Sequence, residues 1–138
     1  MKILTIVDAV AIAAAIYRRE LWHEKAKRLF HELPKPMLTC EAALGEVCYL
    51  IGESKAAVDH VIELITSGVI SIEFSLGNEI EAVEFLLKKY NDVPMSLADA
   101  CLVRMSEIFD APVFTFDTDF RIYRRNKRSV IPLIGIDN

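Results

Sequence analysis

Four acidic residues stand where a carboxylate needs a reason. Asp8 directly follows the apolar run of residues 2–7, and Asp117 closes the run "PVFTF". Glu46, read on a helix, has Ala42, Ala43, Tyr49 and Leu50 at its i±3 and i±4 positions, none of them basic. Asp99 opens the otherwise apolar text "ACLV". Carboxylates brought together raise one another's pKa unless a cation neutralises them. An all-oxygen set without His or Cys suits Mg²⁺ or Mn²⁺, which keep bound waters and bind substrate phosphates. The chemistry such a set serves is metal-assisted attack of water on a phosphodiester.

Each acid also has an ordinary use. Asp8 can cap the helix that follows it, and Asp117 can cap whatever begins at Thr118. Ser96 with Asp99 three residues on has the spacing of a capping box. Glu46 can be an exposed glutamate beside a narrow apolar seam, and Glu41 fits the dipole of a helix start.

The elements that must position these residues can be read from periodicity. Residues 2–7 show no apolar/polar alternation, which predicts a strand buried on both faces of a parallel sheet. An Ala-rich helix is expected over 9–21. An amphipathic helix over 22–33 should turn Trp22, Ala26, Leu29, Phe30 and Leu33 inward, ending at Pro34 and Pro36. A short extended entry with Thr39 as N-cap leads into a helix closed by Gly52. A helix over 54–67 with Val58, Val61, Ile62 and Ile65 inward precedes a second strand at 69–74. Helices at 78–90 and 96–109, a third buried strand at 112–116, a short helix or turn at 118–128 and an edge strand at 130–136 complete the chain. Strands separated by helices imply a layered α/β fold with a mainly parallel sheet, in which ligands sit beyond the carboxyl ends of the strands. Asp8 and Asp117 both fall there.

Composition bounds the function. The 138 residues are expected to form a single domain over 1–138, and 53% apolar content argues against disorder. A net charge of −4 confines any polyanion site to a local patch. Three cysteines without a CxxC read as core thiols of a reducing cytoplasm, and three histidines without i, i+4 spacing disfavour zinc. The first twenty residues mimic a signal peptide, but Asp8 interrupts an apolar run too short to span a bilayer. A cytoplasmic protein with no membrane association is expected.

The order of Asp8, "TCEAALGEV", "SLADA" and "TFDTDF" resembles the PIN-domain nucleases, especially the VapC-type toxins of toxin–antitoxin pairs, along nearly the whole chain. That resemblance implies a PIN-like three-layer fold with helices on both sides of the sheet. It places Asp8, Glu46, Asp99 and Asp117 on the family's acidic quartet, Asp119 on an accessory acid and Thr115 on a hydroxyl accompanying the fourth Asp. It further implies an Mg²⁺- or Mn²⁺-dependent ribonuclease leaving a 5′-phosphate and a 3′-hydroxyl, a cognate antitoxin and a homodimer. The chain departs from the family at Ala9, where Ser or Thr is common and would place a hydroxyl beside the first Asp.

"RIYRRNKR" follows the acidic motif and concentrates Arg121, Arg124, Arg125, Lys127 and Arg128. It reads either as a solvated surface helix or as a phosphate-positioning patch, with Tyr123 stacking on a base and Thr115 alongside. The patch favours a polymer, single-stranded or looped RNA, over a small molecule. Two other readings remain open: a PIN-like RNA-binding module with weak or lost cleavage, and a metal-dependent phosphoesterase acting on a small molecule.

Overall fold

The computed structural model describes residues 3–52 and 54–137; Lys2, where the first strand is expected to begin, lies outside them. Five strands form the main sheet: β1 (Ile6–Val7), β2 (Met37–Thr39), β3 (Ile70–Ile72), β4 (Val113–Phe114) and, in chain order after a hairpin of β5 (Arg124–Arg125) and β6 (Ser129–Val130), β7 (Leu133–Ile134). Their spatial order is β3-β2-β1-β4-β7, and every pairing is parallel. The helices are α1 (Ala9–Ile16), α2 (His23–Glu32), α3 (Glu41–Leu50), α4 (Lys55–Thr66), α5 (Ile80–Lys89) and α6 (Leu97–Phe109). This is the expected layered α/β architecture with a parallel central sheet.

Unbroken apolar strands are explained by what lies on each side. Ile6, Leu38 and Val113 enter one core with α5 and α6, while Val7, Met37 and Phe114 enter another with α1 and α2. Successive strand residues point to opposite faces, so a strand covered on both sides carries apolar residues at successive positions, as β1, β4 and β7 do. Cys40 and Cys101 are buried together in the first core.

Several elements differ from their expected form. The first helix ends at Ile16 rather than Leu21: Tyr17 turns extended, and His23 Nδ1 donates to the Ala14 carbonyl at 2.7 Å, so α2 starts beside the end of α1. Thr39 does not cap α3. It is the last residue of β2, and its hydroxyl donates to the Val7 carbonyl at 2.9 Å, while Cys40 holds the cap position. On α4 only Val61 is buried, and Val58 and Ile62 face outward, because the helix meets α3 and β3 along a narrow stripe. The segment 118–128 is neither one helix nor one turn: a 3₁₀ turn at Thr118–Arg121 leads into the β5–β6 hairpin. Gly135 lies at φ +102°, and a Cβ there would meet the Thr115 carbonyl at 2.5 Å, so β7 can close over β4 only with glycine.

Candidate active site

The carboxyl ends of β1 and β4, adjacent and in register, deliver Asp8 and Asp117 to one edge of the sheet. Asp8 does cap α1: its Oδ1 accepts the Ala11 N–H at 2.8 Å. Its other oxygen accepts from the Thr115 hydroxyl, and that hydroxyl oxygen in turn accepts the Asp117 N–H at 2.9 Å. Asp117 Oδ1 accepts the Asp119 N–H at 2.9 Å and so begins the 3₁₀ turn. The ordinary capping roles are therefore all present, and they orient the carboxylates.

Asp99 reaches the same place from α6. Its capping box is complete, with Ser96 N donating to Asp99 Oδ2 at 3.1 Å and Asp99 N donating to Ser96 Oγ at 3.0 Å. Glu46 projects from α3 and is exposed rather than wrapped in apolar side chains. It lines a hollow of about 310 Å³ with Val10, Tyr49 and Leu50, which sets it near the start of α1.

The acids act on one another electrostatically. Burial first, then Asp117 and Asp99, raise the Asp8 carboxyl, which settles at about 7 despite the bonds from Thr115 and Ala11. Burial also raises Asp99, with Asp117 and Glu46 adding to it against the Ser96 N–H. Asp119 is raised by burial and by Asp117. Among the described residues no Lys, Arg or His forms a salt bridge with any of these five acids. The side chains stand within electrostatic reach and not at ligand-sharing distance: among the described residues no three His, Cys, Asp or Glu are grouped tightly enough to hold an ion.

The family model of the PIN domain matches residues 5–126. The chain belongs to the PIN-domain family. In three dimensions it is similar to the crystal structure of Mycobacterium tuberculosis VapC20, a sarcin–ricin loop cleaving toxin, with a TM-score of 0.73 over 83% of this chain and 91% of that one at 24% identity. That likeness establishes the PIN fold. No curated protein matches the chain in sequence. The PIN match contains all five acids and ends at Asn126, before Lys127 and Arg128.

Within the PIN domain two expected RNA contacts are displaced. Thr115 is wholly buried and holds Asp8 and Asp117 instead of meeting a ligand. Tyr123 is also wholly buried, its ring packed edge-on against Tyr90 and Phe120, so it offers no face for a base. Its hydroxyl donates to Asp99 Oδ2 at 3.3 Å. The basic run is divided as well. Arg125 is tied to α6, donating to the Ser106 carbonyl at 3.0 Å and pairing with Asp110 at 2.7 Å, so it is not a free phosphate ligand. Arg124 donates to the carbonyls of Arg121, Ile122 and Tyr123, and Arg121 donates to the Asp137 carbonyl. Lys127 and Arg128 are exposed at the hairpin tip. Tyr90, whose hydroxyl accepts the Arg124 N–H at 2.8 Å, is a contributor that the sequence does not single out. Its only signal is an aromatic closing the α5 text, which any core residue shares.

Proposed function

We propose that this chain is a metal-dependent endoribonuclease of a single domain, acting as the toxin of a toxin–antitoxin pair in the cytoplasm. The observation that supports the reading is that Asp8, Asp99 and Asp117, from three separate elements, act on one another electrostatically, that Glu46 on a fourth acts on Asp99, and that among the described residues no salt bridge neutralises any of them. Repulsion of this kind is a cost that folding does not need, and a divalent cation removes it.

By donor type, though not by their present spacing, the residues fit such an ion. All donors are carboxylate oxygens, the set that hard cations prefer. Asp99 Oδ1 and Asp117 Oδ2 carry no hydrogen bond among the described residues, so each has an oxygen to offer. Asp8, Glu46, Asp99 and Asp117 would hold Mg²⁺ or Mn²⁺, with Asp119 assisting. Glu46 is exposed, and among the described residues it has no hydrogen-bond or salt-bridge partner, which leaves its carboxylate available to the ion. The bound ion supplies charge stabilisation at the scissile phosphate and a more acidic water. The chain itself holds the carboxylates: Thr115 and the Ala11 N–H fix both Asp8 oxygens, and the Asp119 N–H fixes one of Asp117. For that reason Ala9 does not argue for lost cleavage, since Asp8 is already held without a hydroxyl at position 9.

The basic hairpin tip supports a polymeric substrate over a small phosphoester. The structurally similar toxin cleaves the sarcin–ricin loop, which supports looped RNA as the substrate class. An antitoxin helix and a second copy of the chain are the proposed protein partners. Among the described residues no helix is long and apolar enough to cross a membrane. The test is incubation of the purified protein with loop-containing RNA in Mg²⁺, Mn²⁺ or EDTA, beside Asp117→Asn. Metal-dependent fragments carrying a 5′-phosphate are expected. Binding without cleavage in either metal would instead identify an RNA-binding module, and hydrolysis of small phosphoesters alone would identify the phosphoesterase.

A further inference from the structure

Asp99 receives both of its side-chain hydrogen bonds on one oxygen. Oδ2 accepts the Ser96 N–H at 3.1 Å and the Tyr123 hydroxyl at 3.3 Å, and Oδ1 receives none among the described residues. The Ser96 bond is local and would form in any helix that starts with this capping box. The Tyr123 bond arrives from beyond β4, on the segment joining the 3₁₀ turn to the hairpin, and fixes the carboxylate in a second direction.

Little about Tyr123 is free to vary. Its side chain is wholly buried. Tyr90 packs against it at 5.2 Å and 65°, and Phe120 at 5.2 Å and 80°, both close to edge-on. The next peptide is tied too, since the Arg124 N–H donates to the Tyr90 hydroxyl at 2.8 Å. A buried tyrosine hydroxyl needs a partner, and a core position that needed only apolar volume would be served by phenylalanine. The hydroxyl is therefore the part of this residue that packing does not explain.

We propose that Tyr123 is a positioning residue of the site: it holds Asp99 by Oδ2 so that Oδ1 is presented to the bound cation. The inference rests on the proposed role of Asp99 as a metal ligand. A bond of 3.3 Å is long for a hydroxyl donor, so the contribution lies in direction more than in strength. Outer partners of metal ligands are typically worth about 10- to 100-fold in metal affinity or activity, and the lower end is expected here.

The experiment compares Tyr123→Phe, Asp99→Asn and the double variant with wild type, reading Mn²⁺ affinity by calorimetry alongside RNA cleavage. Tyr123→Phe keeps the ring, so its metal-free melting temperature should stay near wild type while Mn²⁺ binding weakens about 10-fold. Cleavage should lose kcat at an unchanged KM for RNA, because a buried ring does not touch substrate. Adding Tyr123→Phe to Asp99→Asn should weaken Mn²⁺ binding no further. Wild-type Mn²⁺ affinity in Tyr123→Phe, beside a loss in Asp99→Asn, would overturn the inference alone. Wild-type affinity in Asp99→Asn would overturn the metal reading and this inference with it. Should Tyr123→Phe fail to fold, wild-type protein with ¹³C at tyrosine Cζ serves instead: the Tyr123 resonance should move on Mg²⁺ addition, and a stationary resonance overturns the proposal.

Discussion

The Thr115 hydroxyl donates to the Asp8 carboxylate across the seam between β1 and β4. Because the same oxygen accepts the Asp117 N–H at 2.9 Å, one buried side chain sets the spacing of two acids. Thr115→Val keeps the shape and removes the donor. Asp8 would then lose one of the two bonds that favour its charged form, and a buried carboxylate left short of a partner costs about 1–3 kcal/mol. A lower melting temperature and weaker Mn²⁺ binding are expected, with Thr115→Ser restoring both. Equal Mn²⁺ affinity in Thr115→Val and wild type would show that Asp8 needs no such support.

The Asp8 carboxyl gives the metal-free protein an unusual pH dependence. Burial raises it to about 7, against about 3.9 for an unfolded aspartate. Between those values the folded chain keeps a proton that the unfolded chain has released, so stability falls as pH rises. The contribution is fully present below pH about 4 and is lost through pH about 7, and the raised Asp99 adds in the same direction. In EDTA the melting temperature should be higher at pH 5 than at pH 7.5, and Asp8→Asn should flatten that difference. Metal binding displaces the proton, so Mn²⁺ affinity should climb over the same window in wild type. A flat EDTA profile in wild type would mean that Asp8 is ionised in the fold.

Asp99→Asn separates capping from ligation. An amide oxygen still accepts the Ser96 N–H, so α6 should start normally, and relief from Asp117 and Glu46 should leave the metal-free fold unchanged or slightly more stable. A ligand present at 100 times its Kd stabilises the native state by about 2.7 kcal/mol, and a variant whose Kd has risen 100-fold keeps only about 0.4. The rise in melting temperature on Mn²⁺ addition should therefore be large in wild type and small in Asp99→Asn. Equal rises would remove Asp99 from the ligand set.

What the chain discloses on its own follows from which forces are local. Asp8 and Asp117 are legible because a carboxylate ending an apolar run marks the strand's carboxyl end, where parallel sheets place their ligands. The Ser96–Asp99 box is legible because capping is a three-residue interaction. Glu46 stands out by its apolar neighbours, yet it is exposed: the seam beside it is narrow, and what ties it to the other acids is its electrostatic effect on Asp99. Tyr123 misleads because an aromatic inside a basic run reads as a base-stacking surface, whereas its burial depends on Tyr90, from a distant helix end. The hairpin escapes a sequence reading for a chemical reason. Its tip places Asn126 and Lys127 at φ 51° and 73°, a conformation usually announced by glycine.

That hairpin yields the last prediction, because the structure divides a run of cations that looks uniform in the sequence. Lys127 and Arg128 are exposed at its tip, while Arg125 pairs with Asp110 and donates to the buried Ser106 residue's carbonyl. If the tip meets the RNA backbone, Lys127→Gln with Arg128→Gln should weaken binding whatever the sequence, since phosphate contacts position and do not specify. The log–log salt dependence should flatten by roughly 0.7 for each phosphate that is no longer neutralised. Arg125→Gln should behave differently. The Asp110 partner is largely exposed, so the ion pair itself is worth little, and the loss of the Ser106 bond should cost about 1 kcal/mol of stability. Its salt slope should match wild type. The measurement is RNA affinity across a salt series in an Asp117→Asn background, chosen to block the proposed cleavage, with thermal melts of each variant. Unchanged affinity and slope in the tip variant would make the hairpin a solvated face, and the RNA path would then be sought near Arg18 and Arg19, exposed between α1 and α2.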